Sequence, residues 1–327
     1  MTSYIRYISF LTTLLVLSGC VHQFPEEPSM RKVHLSVTHI QEWTRHDMDI
    51  LSRASSDDNG YVVRYIFRAY PEGMLENMER PHVWERIIYR DEMPRSDFDI
   101  DLDMPVGDWE LHVWSDIVSD KDLKDRYYSV SDFTMISLLE PHSGCDDMRD
   151  AFAGSAEVHL PGGPEEAEPE YVSVSLERPL ARYEFIATDF DEFIRQKNER
   201  DNSGISVDEY EVEFYYCGYM PSAYNRFSDD VTDAKPGVMF KGRITRLSDT
   251  EASIGFDHVF VNHRERYVIV SAVLVSPDGS RSGLTGEITI PLLRSRCTVV
   301  RGRFLTADES GGINMDVEFE GDHNIYI

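Results

Sequence analysis

The residue whose setting most plainly prepares a reaction is Cys20, which follows Leu17-Ser18-Gly19. Small side chains at 18 and 19 let an extended chain enter a narrow peptidase cleft. Cutting there leaves the Cys20 thiol as a nucleophile at the new amino terminus. Upstream, Arg6 precedes an apolar run from Ile8 to Val16. A positive start, an apolar centre and a small-residue exit read as a secretory signal over 1–19. The run is shorter than the roughly 20 apolar residues of a membrane-spanning helix.

The other reactive side chains form no comparable pattern. Cys145, Cys217 and Cys297 are odd in number, so no complete disulfide framework is expected, and sequence does not say whether two of them pair. His34, His39 and His46 are close in sequence but fall on a strand and a loop, as surface histidines do. Asp97, Asp99, Asp101 and Asp103 alternate with Phe98, Ile100, Leu102 and Met104. They would make a metal comb, yet on so acidic a chain they read as a solvated strand face. The acidic loop 55–60 lacks the spacing and closing Glu of an EF-hand. GxSxG, HExxH, P-loop and dinucleotide-binding patterns are all missing. Among 59 acids, paired carboxylates carry no information. The expectation is a protein that is not an enzyme, with no cofactor and no metal.

Removing the 19 residues before Cys20 leaves 308 of 327. With Arg6 gone, the remainder has 31 basic and 59 acidic residues, a net charge of −28. Such a surface repels nucleic acid, because nothing remains to neutralise phosphates. It also repels an anionic bilayer, and suits a domain held away from a membrane. A hydrophobic fraction of 41% with 16 Phe, 17 Tyr and 4 Trp excludes a mainly disordered chain.

Period-2 patterning dominates the chain beyond Cys20. Residues 20–30, with two prolines, read as a tether. Strands are predicted at 33–37 and 61–70, the latter with Tyr61, Val63, Tyr65 and Phe67 on one face. The segments 97–104 and 109–114 read as a hairpin turning at Pro105–Asp108, with Trp109, Leu111 and Val113 in the core. One or two helical turns are expected within 143–153, ahead of a strand at 154–160. Pro179 interrupts the run from Tyr171 and sets a domain boundary near 176–179. A helix is predicted at 189–199, its start capped by Asp189 and Glu192. Further strands fall at 209–217, 238–246, 267–275, 286–292 and 297–306, with 267–275 buried on both faces. The last is Ile313–Phe319, alternating with Asn314, Asp316, Glu318 and Glu320. Its apolar core face and charged outer face would leave an edge open to a complementary strand. The fold class is all-β: two tandem β-sandwiches over 31–176 and 177–327, with one or two short helices.

Two resemblances add to this. Leu17-Ser18-Gly19-Cys20 resembles the lipobox of bacterial lipoproteins, in which the first three residues form the signal-peptidase motif and the Cys is lipidated. That implies an acylated Cys20 (diacylglycerol, palmitate) and an outer-membrane lipoprotein. Glu26-Glu27 resembles the surface-export signals of Bacteroidetes lipoproteins, implying the cell surface. Separately, the segment from Ile290 to Thr306, including Arg294, Cys297 and Gly302, resembles the C-terminal strands of fimbrillin-type proteins. Glu177-Arg178-Pro179-Leu180-Ala181-Arg182-Tyr183 is similar to their junction segment, and Gly107-Asp108-Trp109-Glu110-Leu111 to a hairpin of the FimB-like anchors. That family builds the type V pili of Bacteroidetes from two transthyretin-like or Ig-like sandwiches. The resemblance implies a fimbrial anchor, tip or accessory subunit in cell adhesion, assembling by β-strand addition. Its partners would be other fimbrial subunits and a host glycan or protein receptor. Shaft subunits are cut after an arginine. Arg45 and Arg53 lie where such a cut would fall, but surface loops often contain Arg, and an uncut anchor is the better match. The alternative is a glycan-binding surface lipoprotein beside an outer-membrane nutrient transporter, with Trp84, Trp114, Tyr215, Tyr216 and Tyr219 as the sugar platform.

Overall fold

The computed structural model describes residues 29–40, 60–73, 82–91, 96–163, 168–200, 206–283, 285–306 and 316–319. Leu17, Ser18, Gly19 and Cys20, and also Arg45 and Arg53, lie outside them. The strands are β1 (Met30–His39), β2 (Tyr61–Pro71), β3 (Trp84–Arg90), β4 (Phe98–Pro105), β5 (Gly107–Ser119), β6 (Tyr128–Ser129) and β7 (Ile136–Leu138). Next come β8 (Phe152–Leu160), β9 (Glu170–Leu176), β10 (Leu180–Ala187), β11 (Glu211–Tyr216), β12 (Tyr219–Asn225), β13 (Asp230–Pro236) and β14 (Met239–Arg243). The rest are β15 (Thr245–Arg246), β16 (Ala252–Phe260), β17 (Arg266–Val275), β18 (Arg281–Gly283), β19 (Ile288–Leu292), β20 (Cys297–Gly302) and β21 (Asp316–Phe319). The described helix is α1 (Phe190–Arg200). The protein is all-β.

Strand order defines the layers. Sheet I is β4-β1-β9, and sheet II is β3-β2-β5-β8. Sheet III, β13-β12-β7-β6, takes strands from both halves of the chain. Sheet IV is β15-β16-β10-β20-β21, and sheet V is β14-β11-β17-β18 with β19 also on β17. One apolar core lies between sheets I and II, built from Val33, Leu35, Phe67, Leu111, Val113 and Val174 among others. A second runs from the far face of sheet II, through Ile66, Tyr70 and Trp114, to Phe185, Phe214, Val270 and Ile290 of sheets IV and V. Apolar packing is therefore continuous across residues 176 and 177.

Sheet II is the consequence of that arrangement, because it is covered on both faces. Tyr65 and Phe67 of β2 face the first core while Ile66 faces the second. The arginines between them are buried and paired. Arg64 grips Asp116 at 2.8 and 2.7 Å and reaches Asp125 at 2.8 Å. Arg68 meets Glu85 at 2.6 Å and the Val130 carbonyl at 2.9 Å. Burying a guanidinium is tolerable only with such partners.

Four expectations change. The segments 97–104 and 109–114 do not form a hairpin, since β4 pairs with β1 while β5 pairs with β2 and β8. Pro105 has no donor to close a tight turn, Val106 donates instead to the Ser29 carbonyl at 2.9 Å, and the chain crosses from sheet I to sheet II. Trp109 stands at the rim of the first core, only partly buried, whereas Leu111 and Val113 are fully inside it. Strand β17 is central as expected, yet one face is open, with Tyr267 69% exposed, because sheet V is an outer layer. Asp189 turns its carboxylate to the Thr306 amide at 2.7 Å and the Leu305 amide at 3.3 Å, which anchors the end of sheet IV, and Glu192 reaches Arg303 at 2.5 Å.

Candidate docking edge and the charged junction behind it

Of the predicted strand Ile313–Phe319, the part from Asp316 to Phe319 is described. It runs antiparallel to β20, with Thr298 opposite Phe319, Val300 opposite Val317 and Arg301 opposite Asp316. Among the described residues it ends the order of sheet IV. A terminal strand pairs on one side only, so alternate backbone amides and carbonyls of β21 face outward. Backbone groups so placed are of the kind that can pair with another strand.

Behind this edge, β20 runs parallel to β10, and β10 brings Arg182, Tyr183 and Glu184 to the junction between the two halves. The segment 142–150 meets them there, shaped by one short helical turn, Asp147–Arg149, that Asp146 caps through the Met148 amide at 3.0 Å. Cys145 donates its amide to the Phe256 carbonyl of β16 at 2.9 Å. At the centre lies Asp257, with no exposed surface. Its carboxylate takes His142 Nε2 at 2.8 Å, the Tyr216 hydroxyl at 2.7 Å and the Arg149 guanidinium. Arg149 also donates to the carbonyls of Ser143 at 2.9 Å and His258 at 3.3 Å. Arg182 pairs with Asp147 at 2.9 Å and stacks 4.0 Å over Phe256. Arg178 holds Asp150 with two bonds of 2.8 and 3.1 Å.

Titration follows from those contacts. Burial pushes the Asp257 carboxyl up, but Arg149, His142 and Tyr216 outweigh it and hold the group well below the usual carboxylate range. Burial, then Asp257, pushes the Tyr216 and Tyr183 hydroxyls well up. Burial, then the nearby Arg182, pulls His258 down to about 3. Burial raises the Cys145 thiol to about 12. This is a closed ionic lock. Its carboxylate is closed to solvent, and it fixes one half of the chain to the other.

The candidates read from sequence scatter across the fold. Cys145, Cys217 and Cys297 form no disulfide with one another and are partly buried, exposed and buried in turn. Asp99, Asp101 and Asp103 face solvent along β4, with Asp101 on His34 at 2.7 Å. Among the described residues no three His, Cys, Asp or Glu gather as metal ligands do. Trp114 and Tyr216 are buried, which removes them from any sugar platform, while Tyr219 is exposed. The lock is hidden in the sequence because Arg149 sits among Asp146, Asp147 and Asp150 and reads as a solvated run. One signal points to it: Asp257 is a lone acid in the apolar stretch 254–260, where an acid must find partners.

The model of a family described as "Family of unknown function (DUF6562)" matches residues 28–327. No curated protein matches the chain. Solved structures of similar shape include a candidate polysaccharide-binding protein of Bacteroides thetaiotaomicron, 12% identical, at a TM-score of 0.48 over 90% of this chain and 98% of that one. The fimbrial anchor protein Mfa2 of Porphyromonas gingivalis is 11% identical, at 0.42 over 90% and 100%. A fimbrial assembly protein of Parabacteroides distasonis is 10% identical, at 0.42 over 89% and 96%.

Proposed function

The chain belongs to that family of unknown function, and we propose that it is a lipid-anchored subunit of a surface fimbrium, an anchor, tip or accessory component in adhesion. One observation carries the reading: among the described residues, strand β21 stands at the end of sheet IV, paired on one side. The fimbrillin-type resemblance of residues 290–306 leads into that same strand. At TM-scores below 0.5 the similar structures carry no part of the case, although two of them bear fimbrial names.

In this reading Cys20 is acylated after cleavage behind Leu17-Ser18-Gly19, and residues 20–30 tether the fold to the outer membrane. Two sandwiches, 31–176 and 177–327, then move as one body, because the lock around Asp257 and the shared core join them. A rigid body suits a load-bearing anchor. Another fimbrial subunit adds a strand to β21. No enzymatic step is assigned.

Two arms test this. The Cys20→Ser protein is expected to lose metabolic fatty-acid label and leave the membrane fraction; label retained in it refutes the anchor. Wild-type protein purified from its own cells after cross-linking is expected to bring fimbrial subunits with it. Recovery with transporter components instead would favour the nutrient-uptake alternative.

A further inference from the structure

Alternation fixes which side chains of sheet V face inward. Val212 and Phe214 of β11 and Ala272 and Leu274 of β17 are buried in the second core. Glu213 and Tyr215 point the other way, where both engage Arg281. Val212 stands opposite Leu274, and Leu274 opposite Ser282 of β18. Two residues further along these strands come Tyr210, Ser276 and Ser280, which therefore face inward as well. The hairpin closes there, with the Ser276 amide on the Ser280 carbonyl at 2.9 Å and the Gly279 amide on the Ser276 carbonyl at 2.8 Å. Gly279 supplies the positive φ that such a turn needs.

Helix α1 meets this end of the sheet. Phe193, Gln196 and Lys197 are three and four residues apart, so they share one helix face. The Phe193 ring lies edge-on to Tyr210, with 5.4 Å between centroids, and Lys197 Nζ stands 5.9 Å from the centre of the Tyr210 ring. Between helix and sheet a cavity of about 360 Å³ opens, at the lower end of the range of small-molecule sites. Phe193, Leu274 and Leu305 give it an apolar side continuous with the second core. Ser276, Ser280 and Ser282 bring hydroxyls from the sheet, and Gln196 an amide whose Nε2 donates to Glu192 at 3.3 Å. Among the described residues of the lining, Lys197 is the basic one and Asp278 the acidic one. Asp278 turns back on its own hairpin and accepts the Ser280 amide at 2.9 Å.

We propose that this cavity binds a small monocarboxylate with an apolar body, an aromatic or aliphatic acid. The body would seat on Phe193, Tyr210, Leu274 and Leu305, where aromatic edges and aliphatic side chains meet. Its carboxylate would take the Lys197 ammonium and the seryl hydroxyls, which are donors, and a bond with both partners charged is the stronger kind. One ammonium without an arginine fork suits a single negative charge rather than a phosphate. A cationic ligand is disfavoured, because Lys197 already stands at the Tyr210 ring that would attract it. The site does not rest on strand addition at β21, and a small organic acid is a ligand of a different kind from a fimbrial subunit.

The test titrates the Cys20→Ser chain calorimetrically with phenylacetate and octanoate, and with phenylacetamide and octanamide as their neutral counterparts. At least one carboxylate is expected to bind, about tenfold more tightly than its own amide. Lys197→Met should weaken the carboxylate about tenfold and leave the amide as it is, which erases the preference; Lys197→Arg, which keeps the charge, should retain it. Ser282→Trp, a substitution at an exposed position of the lining, should fill the cavity and abolish binding at an unchanged unfolding midpoint. Lys241→Met, on the outer face of sheet V and outside the cavity, should change nothing. The proposal falls if neither carboxylate binds, or if the amides bind as tightly as the acids. It also falls if Lys197→Met keeps the preference, or if Ser282→Trp binds like the parent, because the acid would then sit elsewhere on the surface.

Discussion

Replacing Arg149 by Met removes the cation of the buried lock while keeping its length and apolar stem. Asp257 has no exposed surface and would keep only His142, Tyr216 and the His258 backbone amide as partners. Leaving one charge of a buried pair uncompensated costs about 3–5 kcal/mol. The carbonyls of Ser143 and His258 also lose their donor, at about 1 kcal/mol or more each. Against a domain stability of about 5–15 kcal/mol, the variant should unfold at a clearly lower urea concentration. The companion variant Arg149→Met with Asp257→Leu removes both charges and should recover part of the loss, since an apolar replacement of a buried pair is often near neutral. Urea unfolding of the Cys20→Ser chain, followed by tryptophan fluorescence and circular dichroism, measures this. The parent should show one cooperative transition by both probes. An Arg149→Met midpoint within the equivalent of ~1 kcal/mol of the parent would refute the lock. So would separate transitions of the two halves in the parent.

The lock also makes stability depend on pH. His258 titrates lower folded, at about 3, than the ordinary 6.5 of the unfolded chain. Its contribution is thus complete above pH 6.5 and is lost as pH falls toward 3, at up to ~1.4 kcal/mol per pH unit. Asp257, also lowered, adds to the loss below the ordinary carboxylate range. A melting temperature that stays flat between pH 6.5 and 4 would count against His258. In thiol labelling of the folded Cys20→Ser chain, exposed Cys217 should react quickly, and Cys145 and Cys297 only on unfolding. Rapid reaction of Cys145 would mean that the 142–150 segment opens. Gly154→Ala would press a Cβ into the Ser175 carbonyl and should cost ~1–3 kcal/mol; an unchanged midpoint would show that β8 and β9 part more widely than described.

Strand periodicity makes most of the fold legible. Strands β1, β9, β10 and β11 lie where alternation puts them, and the break before Leu180 falls at Pro179. Alternation says which residues share a face, but not which sheet a strand joins. That is why 97–104 and 109–114 read as a hairpin although Pro105 and Gly107 carry the chain from one sheet to another. Alternation also misleads at β2, whose inward arginines look solvated until Asp116 and Glu85 arrive from distant segments. The lock draws on residues 142–150, 178–184, 216 and 257, so no local spacing announces it. The part of the closing strand that is described, Asp316–Phe319, is readable because its alternation is local.

Assembly through β21 is tested most directly by proline placed at Val317 and, separately, at Glu318. Neighbouring residues of a strand direct their amides to opposite sides, so one of these prolines removes a ladder bond to β20 and the other an outward donor. The outward variant identifies itself by an unfolding midpoint equal to the parent's. In co-purification from cross-linked cells, that stable variant is expected to lose its fimbrial partners while remaining membrane-bound. If it folds like the parent and recovers partners at the parent's level, strand addition does not run through β21 and the central claim fails.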